Sequence, residues 1–159
     1  MIRKFLAPTA IAFAAAGTVL AGAGGATAAA APALAPAVCT SATIIQVNSF
    51  AFHPAAVLPG ASSAAVLATT NCTAQTLATT QTWFGQFLSA SGAGIPSGCV
   101  AIDPYSRGIT YGPNQSVTDS TSYTVPGTCT ANALKVTVKI TNSSGVQLAE
   151  TSAILTIEQ

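Results

Sequence analysis

The sequence predicts an all-β fold in which about seven short antiparallel strands pack as two facing sheets. Three observations predict it. After its first 38 residues the chain is rich in Thr and Ser with interspersed Val and Ile, side chains that suit a pleated, half-buried surface. Gly, Pro or Asn interrupts it roughly every ten residues, which is the punctuation of turns. No stretch repeats its apolar residues with the 3.6-residue period of a helix.

Composition narrows the range of functions. The 159 residues are 50% hydrophobic and 6% charged, with five Lys+Arg against four Asp+Glu and one His. Such a chain is no acidic or basic tail, and its length allows one ordinary domain.

The N-terminus has the order of a secretory signal peptide. Arg3 and Lys4 form a basic start, residues 5–20 are an apolar run made mostly of Ala, and small residues follow. Candidate cleavage motifs are Ala26-Thr27-Ala28 and Ala35-Pro36-Ala37, and the first is favoured, so residues 1–28 are the expected signal. A retained membrane anchor is the competing reading, because the apolar run approaches the ~20 residues that span a bilayer. Gly22, Gly24, Gly25 and the Ala-rich tail favour cleavage instead, leaving no membrane contact in the mature chain. Val38 precedes Cys39 where a lipoprotein site needs a small residue, and the C-terminus carries no sorting motif. Residues 29–38 read as an Ala/Pro linker, and residues 39–159 as the folded domain.

Removal of the signal leaves Arg107, Lys135 and Lys139 against Asp103, Asp119, Glu150 and Glu158. Three scattered cations build no nucleic-acid surface, so no nucleic-acid partner is expected. The four cysteines, Cys39, Cys72, Cys99 and Cys129, all follow the signal. An even number in an exported chain favours two disulfides. No pair has C-x-x-C spacing and His53 stands alone, so neither a metal nor a cofactor is expected. Four cysteines permit three connectivities.

The strands follow in order. TIIQVNSFAF and SSAAVLATTNC form a first antiparallel pair, separated by a segment whose Pro59-Gly60 signals a turn or a crossing between sheets. TQTWFGQFL is the third strand, and residues 89–98 are a Gly/Ser loop. ITYG and SVTDSTSYTV add one or two more, and Pro126-Gly127 turns the chain toward the last hairpin. In LKVTVKIT, Leu134, Val136, Val138 and Ile140 alternate with Lys135, Thr137, Lys139 and Thr141, which puts one face inward. Residues 142–145 turn. The final run begins with Val146 and Leu148 in one phase and ends with Ala153, Leu155 and Ile157 in the other, so a bulge near Glu150 is expected.

From Thr43 to Ile157 this order, with PAAVLPGASSAAVLATTNCTAQ, the Trp83 strand, GPNQSVTDSTSYTVP, LKVTVKITN and GVQLAETSAILTI, resembles the bacterial immunoglobulin-like domains of adhesive and cell-surface proteins. The resemblance lies in strand rhythm and turn placement and implies an immunoglobulin-like antiparallel sandwich. Cys72 and Trp83 have the Cys-to-Trp spacing of antibody domains, whereas Cys129 precedes the LKVTVKIT strand, and Gly127 stands where those domains place a Tyr. With successive strands of such a sandwich running up and down, Cys39 and Cys72 fall at one end and Cys99 and Cys129 at the other. The expected bridges are Cys39 with Cys72 and Cys99 with Cys129.

Catalytic motifs are absent from the sequence. His53 has no neighbouring carboxylate, Gly94-Ile95-Pro96-Ser97-Gly98 has the wrong spacing for a nucleophile elbow, and the Gly-rich stretches lack the Lys of a phosphate loop. Asp103 and Asp119 read as turn residues. Neighbours on a strand face opposite sides, so Trp83 and Phe84 cannot both be in the core. An exposed aromatic set drawn from Trp83, Phe84, Phe87, Tyr105 and Tyr111 is the candidate interaction surface. The expected function is a secreted, non-enzymatic structural or interaction module at the cell envelope or outside the cell, with an unidentified partner. The alternative is a protein that binds a small ligand or carbohydrate through aromatics near residues 89–98.

Overall fold

Alternating apolar and polar side chains organise the chain into strands, in a computed structural model that describes residues 39–40, 42–90 and 95–159. The predicted signal peptide (1–28) and linker (29–38) lie outside the described residues. The described residues contain eight strands and no helix: β1 (Ile45–His53), β2 (Ala56–Val57), β3 (Ser62–Asn71), β4 (Leu77–Leu88), β5 (Tyr105–Tyr111), β6 (Ser116–Thr124), β7 (Ala133–Asn142) and β8 (Gln147–Ile157). One sheet has the order β1-β3-β6 and the other β2-β8-β7-β4-β5. The fold is therefore an all-β sandwich of two sheets.

The eighth strand, beyond the seven expected, is β2. It has only two residues and pairs parallel with the end of β8, Ala56 opposite Thr156 and Val57 opposite Ile157. Pro59-Gly60 lies where the chain returns from there to β3. Gly60 takes φ +88°, and its N–H donates to the Val125 carbonyl at 2.9 Å. The segment between β1 and β3 thus crosses to the opposite sheet, and Val57 is buried on arrival.

Two bulges keep apolar residues inward where the sequence changes phase. In β1 the register against β3 shifts between Val47 and Ser49. Ile45 and Val47 face the core before it, and Phe50 and Phe52 after it. In β8 the register against β7 shifts at Leu148, two residues before the expected position at Glu150. Beyond it Ala153, Leu155 and Ile157 are buried opposite the equally buried Leu134, Val136, Val138 and Ile140 of β7. Val146 lies in the preceding turn and is exposed, outside the inward set to which its phase assigned it. At the centre Trp83 is 1% exposed and meets Phe50 edge to face, ring centroids 5.5 Å apart.

The cystines staple the sandwich at opposite ends. Cys39 bonds Cys72, beside the start of β1 and the end of β3, and Cys99 bonds Cys129, between the end of β4 and the start of β7. These are the two couples expected from strand order. At the second bridge Gly98 has φ +71°, and a Cβ there would collide with the Thr128 carbonyl, so only glycine permits this approach. Thr130 donates its backbone N–H to Ser97 O at 2.9 Å and fixes the two segments together.

The bridges close loops of 33 and 30 positions. By chain entropy each contributes roughly 3.5 kcal/mol, a large share of the ~5–15 kcal/mol that stabilises a small domain. Reduction is therefore expected to lower the urea midpoint sharply or to unfold the protein at room temperature. Circular dichroism with and without reductant measures this, and an unchanged midpoint would contradict it.

Candidate functional site

A group of polar side chains converges on the side of the sandwich where the edge strands β5 and β6 face each other. Gln81 and Trp83 of β4, Arg107 and Tyr111 of β5, Thr69 of β3 and Asp119 of β6 all sit on inward strand positions. Gln81, Tyr111 and Thr69 are completely buried. Trp83 Nε1 and Arg107 Nε can only donate, and they reach Gln81 Oε1 at 3.2 and 3.3 Å. This orients the amide. Gln81 Nε2 then donates to Asp119 Oδ2 at 2.9 Å and to Tyr111 Oη at 3.3 Å. The Tyr111 hydroxyl also shares a hydrogen bond with Thr69 Oγ1 at 2.9 Å.

Arg107 binds the two sheets across this seam. Its Nη1 donates to the Ser120 carbonyl of β6 at 3.3 Å, its Nη2 lies 3.8 Å from Asp119 Oδ1, and its guanidinium carbon sits 4.8 Å from the Trp83 ring centroid. Side-chain exposures of 21% for Arg107 and 14% for Asp119 make the pair largely desolvated. Nη2 is enclosed without a hydrogen bond, so the cost of desolvation offsets part of the pair's attraction. Burial raises the Tyr123 pKa above the ordinary tyrosine value, and the nearby Arg107 charge partly opposes this.

This cluster corrects the expectation that Asp119 is a turn residue: it lies in mid-strand, opposite Leu67, and faces between the sheets. Asp103 is in a loop and exposed. Sequence reasoning missed Gln81 and Arg107. Their signal was present in two-residue spacing, since Gln81 precedes Trp83 and Arg107 precedes Ile109 and Tyr111 on the same faces.

The expected aromatic surface does not assemble. Trp83, Phe87 and Tyr111 are buried in the core, packed there by the inward phase of β4 and β5. Phe84 and Tyr105 are the exposed members, at 38% and 53%. They face different ways: Phe84 lies on the outer side with Lys139 Nζ 5.7 Å from its ring, while Tyr105 pairs with Trp83 and shares its side of the sheet. His53 is exposed at the end of β1, and its ring has no hydrogen bond to the described residues. Among the described residues no three His, Cys, Asp or Glu side chains come together as metal ligands would.

A second feature lies at the far end of β4. Ile95, Val100, Ala101 and Ile102 line an open pocket of about 230 Å³ beside Gly85, Gln86 and Phe87. Ile102 packs against Gly85, where a Cβ would come within 2.8 Å of Ile102 Cδ1. Ile95 and Val100 stand at the cavity wall largely exposed.

No protein-family model matches the chain, and no curated protein matches it in sequence. Among solved structures its fold is similar to that of the Pseudomonas fluorescens alkylpurine DNA glycosylase AlkC bound to DNA containing an abasic site analog, with a TM-score of 0.52 and 10% identity. The alignment covers 74% of this chain and 31% of that one. The chain thus spans about a third of the glycosylase's length. Spo0M, the sporulation control protein from Bacillus subtilis, aligns with a TM-score of 0.46 and 13% identity over 73% of this chain and 50% of its own. A Niemann-Pick type C2 protein from Japanese carpenter ant aligns with a TM-score of 0.39 and 9% identity over 71% and 96%.

The glycosylase corrects the expectation of a non-enzymatic protein. A sandwich of similar shape forms part of an enzyme, so the fold does not exclude catalysis. At that identity the likeness concerns shape and transfers no residue.

Two outcomes follow from the seam. Asp119→Ala removes the carboxylate facing Arg107 and one of the two acceptors of the Gln81 amide and is expected to cost about 1–3 kcal/mol; the double variant Arg107→Met with Asp119→Leu recovers part of that loss in urea denaturation. Because folding raises the Tyr123 pKa, its contribution is complete below about pH 10 and declines as pH rises through the folded value. Tyr123→Phe is expected to lose less stability than the parent as pH rises above about 10, and equal losses would contradict the assignment.

Proposed function

We propose that the chain is an exported, immunoglobulin-like module that serves a structural or protein-interaction role at the cell envelope or outside the cell. The observation that carries this is the pair of cystines at opposite ends of the sandwich, which is consistent with an oxidising compartment. The signal-like N-terminus, with cleavage after residue 28, supports the same reading. Strand order supports the finer fold assignment: β1-β3-β6 facing β2-β8-β7-β4-β5 corresponds to A-B-E facing G-F-C with one strand added at each edge of the second sheet, β2 and β5.

The distribution of cations supports a protein partner rather than a nucleic acid. Among the described residues Arg107 turns inward to Asp119, and Lys139 lies 3.8 Å from Glu150 on the outer face. The aromatic platform required for carbohydrate stacking is dispersed, with three of its five members in the core.

Expression of the full chain in a bacterial host, followed by intact mass of the exported product, tests export. The expected mass lacks residues 1–28 and gains one hydrogen per sulfur on reduction. Full-length protein retained in the cytosol would remove the reading. Affinity capture from supernatant and envelope fractions tests the interaction role, and repeated empty captures would count against it.

A further inference from the structure

Among the described residues the two sheets have four edge strands, β1 and β6 in one and β2 and β5 in the other. Three of them carry an obstacle to the addition of a further strand. The β1 edge is broken by its bulge at Asn48, β2 has two residues, and β5 is interrupted by Gly108. The fourth, β6, pairs with β3 over nine consecutive residues without a shift and contains no Pro, Gly, Lys or Arg. Its one charge, Asp119, is turned inward to Gln81 and Arg107.

Each residue of an antiparallel strand directs both backbone groups to one side, and the side alternates along the chain. The ladder of β3 and β6 continues past both ends of β6: Asn71 N–H donates to the Gln115 carbonyl and Val125 N–H to the Ala61 carbonyl, each at 2.9 Å. Odd-numbered residues of this stretch therefore face β3. Ser116, Thr118, Ser120, Ser122 and Thr124 direct N–H and C=O the other way, and all five are exposed. Among the described residues one hydrogen bond reaches this row from outside: Arg107 Nη1, arriving from β5, donates to the Ser120 carbonyl at 3.3 Å.

The row is complementary to itself. A second copy laid antiparallel with Ser120 opposite the partner's Ser120 sets Ser116 opposite the partner's Thr124 and Thr118 opposite the partner's Ser122, so every open group meets an open group. A register centred on Asp119 instead opposes two carboxylates, which is unfavourable. Ser120 is the middle of the row, and its carbonyl is the acceptor that Arg107 already holds.

We infer that Arg107 guards this edge: its guanidinium occupies the place at Ser120 where the β6 strand of a second copy would donate, and this keeps the chain from pairing with itself. The edge is only about 30 Å long and one strand deep, short of the ~1,200–2,000 Å² of a standard stable interface. Association through it is therefore weak, and individual hydrogen bonds decide it. Pairing releases one charged hydrogen bond in each copy; at roughly tenfold apiece, the two together weaken it about a hundredfold.

Arg107→Met alone leaves Asp119 without its cation and threatens the fold, so the test is the double variant Arg107→Met with Asp119→Leu. In sedimentation velocity of the full disulfide-bonded chain, it is expected to dimerise roughly a hundredfold more tightly than the parent. Amide exchange is expected to slow at Thr118, Ser120 and Ser122 as its concentration rises, and not in the parent. Adding Ser120→Pro removes an N–H that takes no part in the ladder with β3, and is expected to return the double variant to monomer. Arg107→Lys keeps a cation beside Asp119 but has one nitrogen in place of the two that face Asp119 and Ser120, and is expected to dimerise in the same way more weakly. Lys139→Met with Glu150→Leu makes the same charge removal on the outer face and is expected to leave the parent's state unchanged. Folded but monomeric Arg107 variants, a dimer whose slowed amides lie outside β6, or equal association by the Lys139 and Glu150 control would overturn the inference. So would a parent protein already paired through β6.

Discussion

An indole N–H taken out of water must find an acceptor, and this requirement organises the side of the sandwich where β5 faces β6. Trp83 sits at the centre of the core, and its N–H is accepted by Gln81, a residue two positions away on the same face of β4. Burying Gln81 creates new obligations, because its amide nitrogen needs acceptors in turn. Asp119 and Tyr111 supply them from β6 and β5, and Arg107 balances the carboxylate while lying over the indole. One large aromatic residue thus brings a polar chain with it that reaches both sheets.

The two sides of the sandwich are closed differently. On one, β2 and β8 pair in parallel beneath β1, and main chain covers the core. On the other, side chains of β5 and β6 do the covering, and that side contains the network. The ends are closed covalently. With 6% of its residues charged, the chain has few ionic contacts with which to define its strand arrangement. Cystines, bulges and the buried network around Gln81 supply that specificity.

The same economy explains why function is harder to read than fold. Among the described residues few ionisable groups come together, and the inward pair of Arg107 and Asp119 joins the two sheets. Likeness to a glycosylase domain extends the functions compatible with this shape without selecting one.

Local order in the chain was sufficient for much of the architecture. The two-residue alternation of β7, the phase change in β8, the turns at Pro59-Gly60 and residues 142–145, and the cystine couples all depend on neighbours along the chain or on strand order, and both are written in the residues. Contacts between sheets are not encoded that way. That Tyr111 and Phe87 are buried while Tyr105 is exposed, that Asp119 meets Gln81 across 38 positions, and that β4 outruns β5 depend on how strands distant in sequence lie over one another. Period two assigns each side chain to a face; only the packed sheets determine what that face meets.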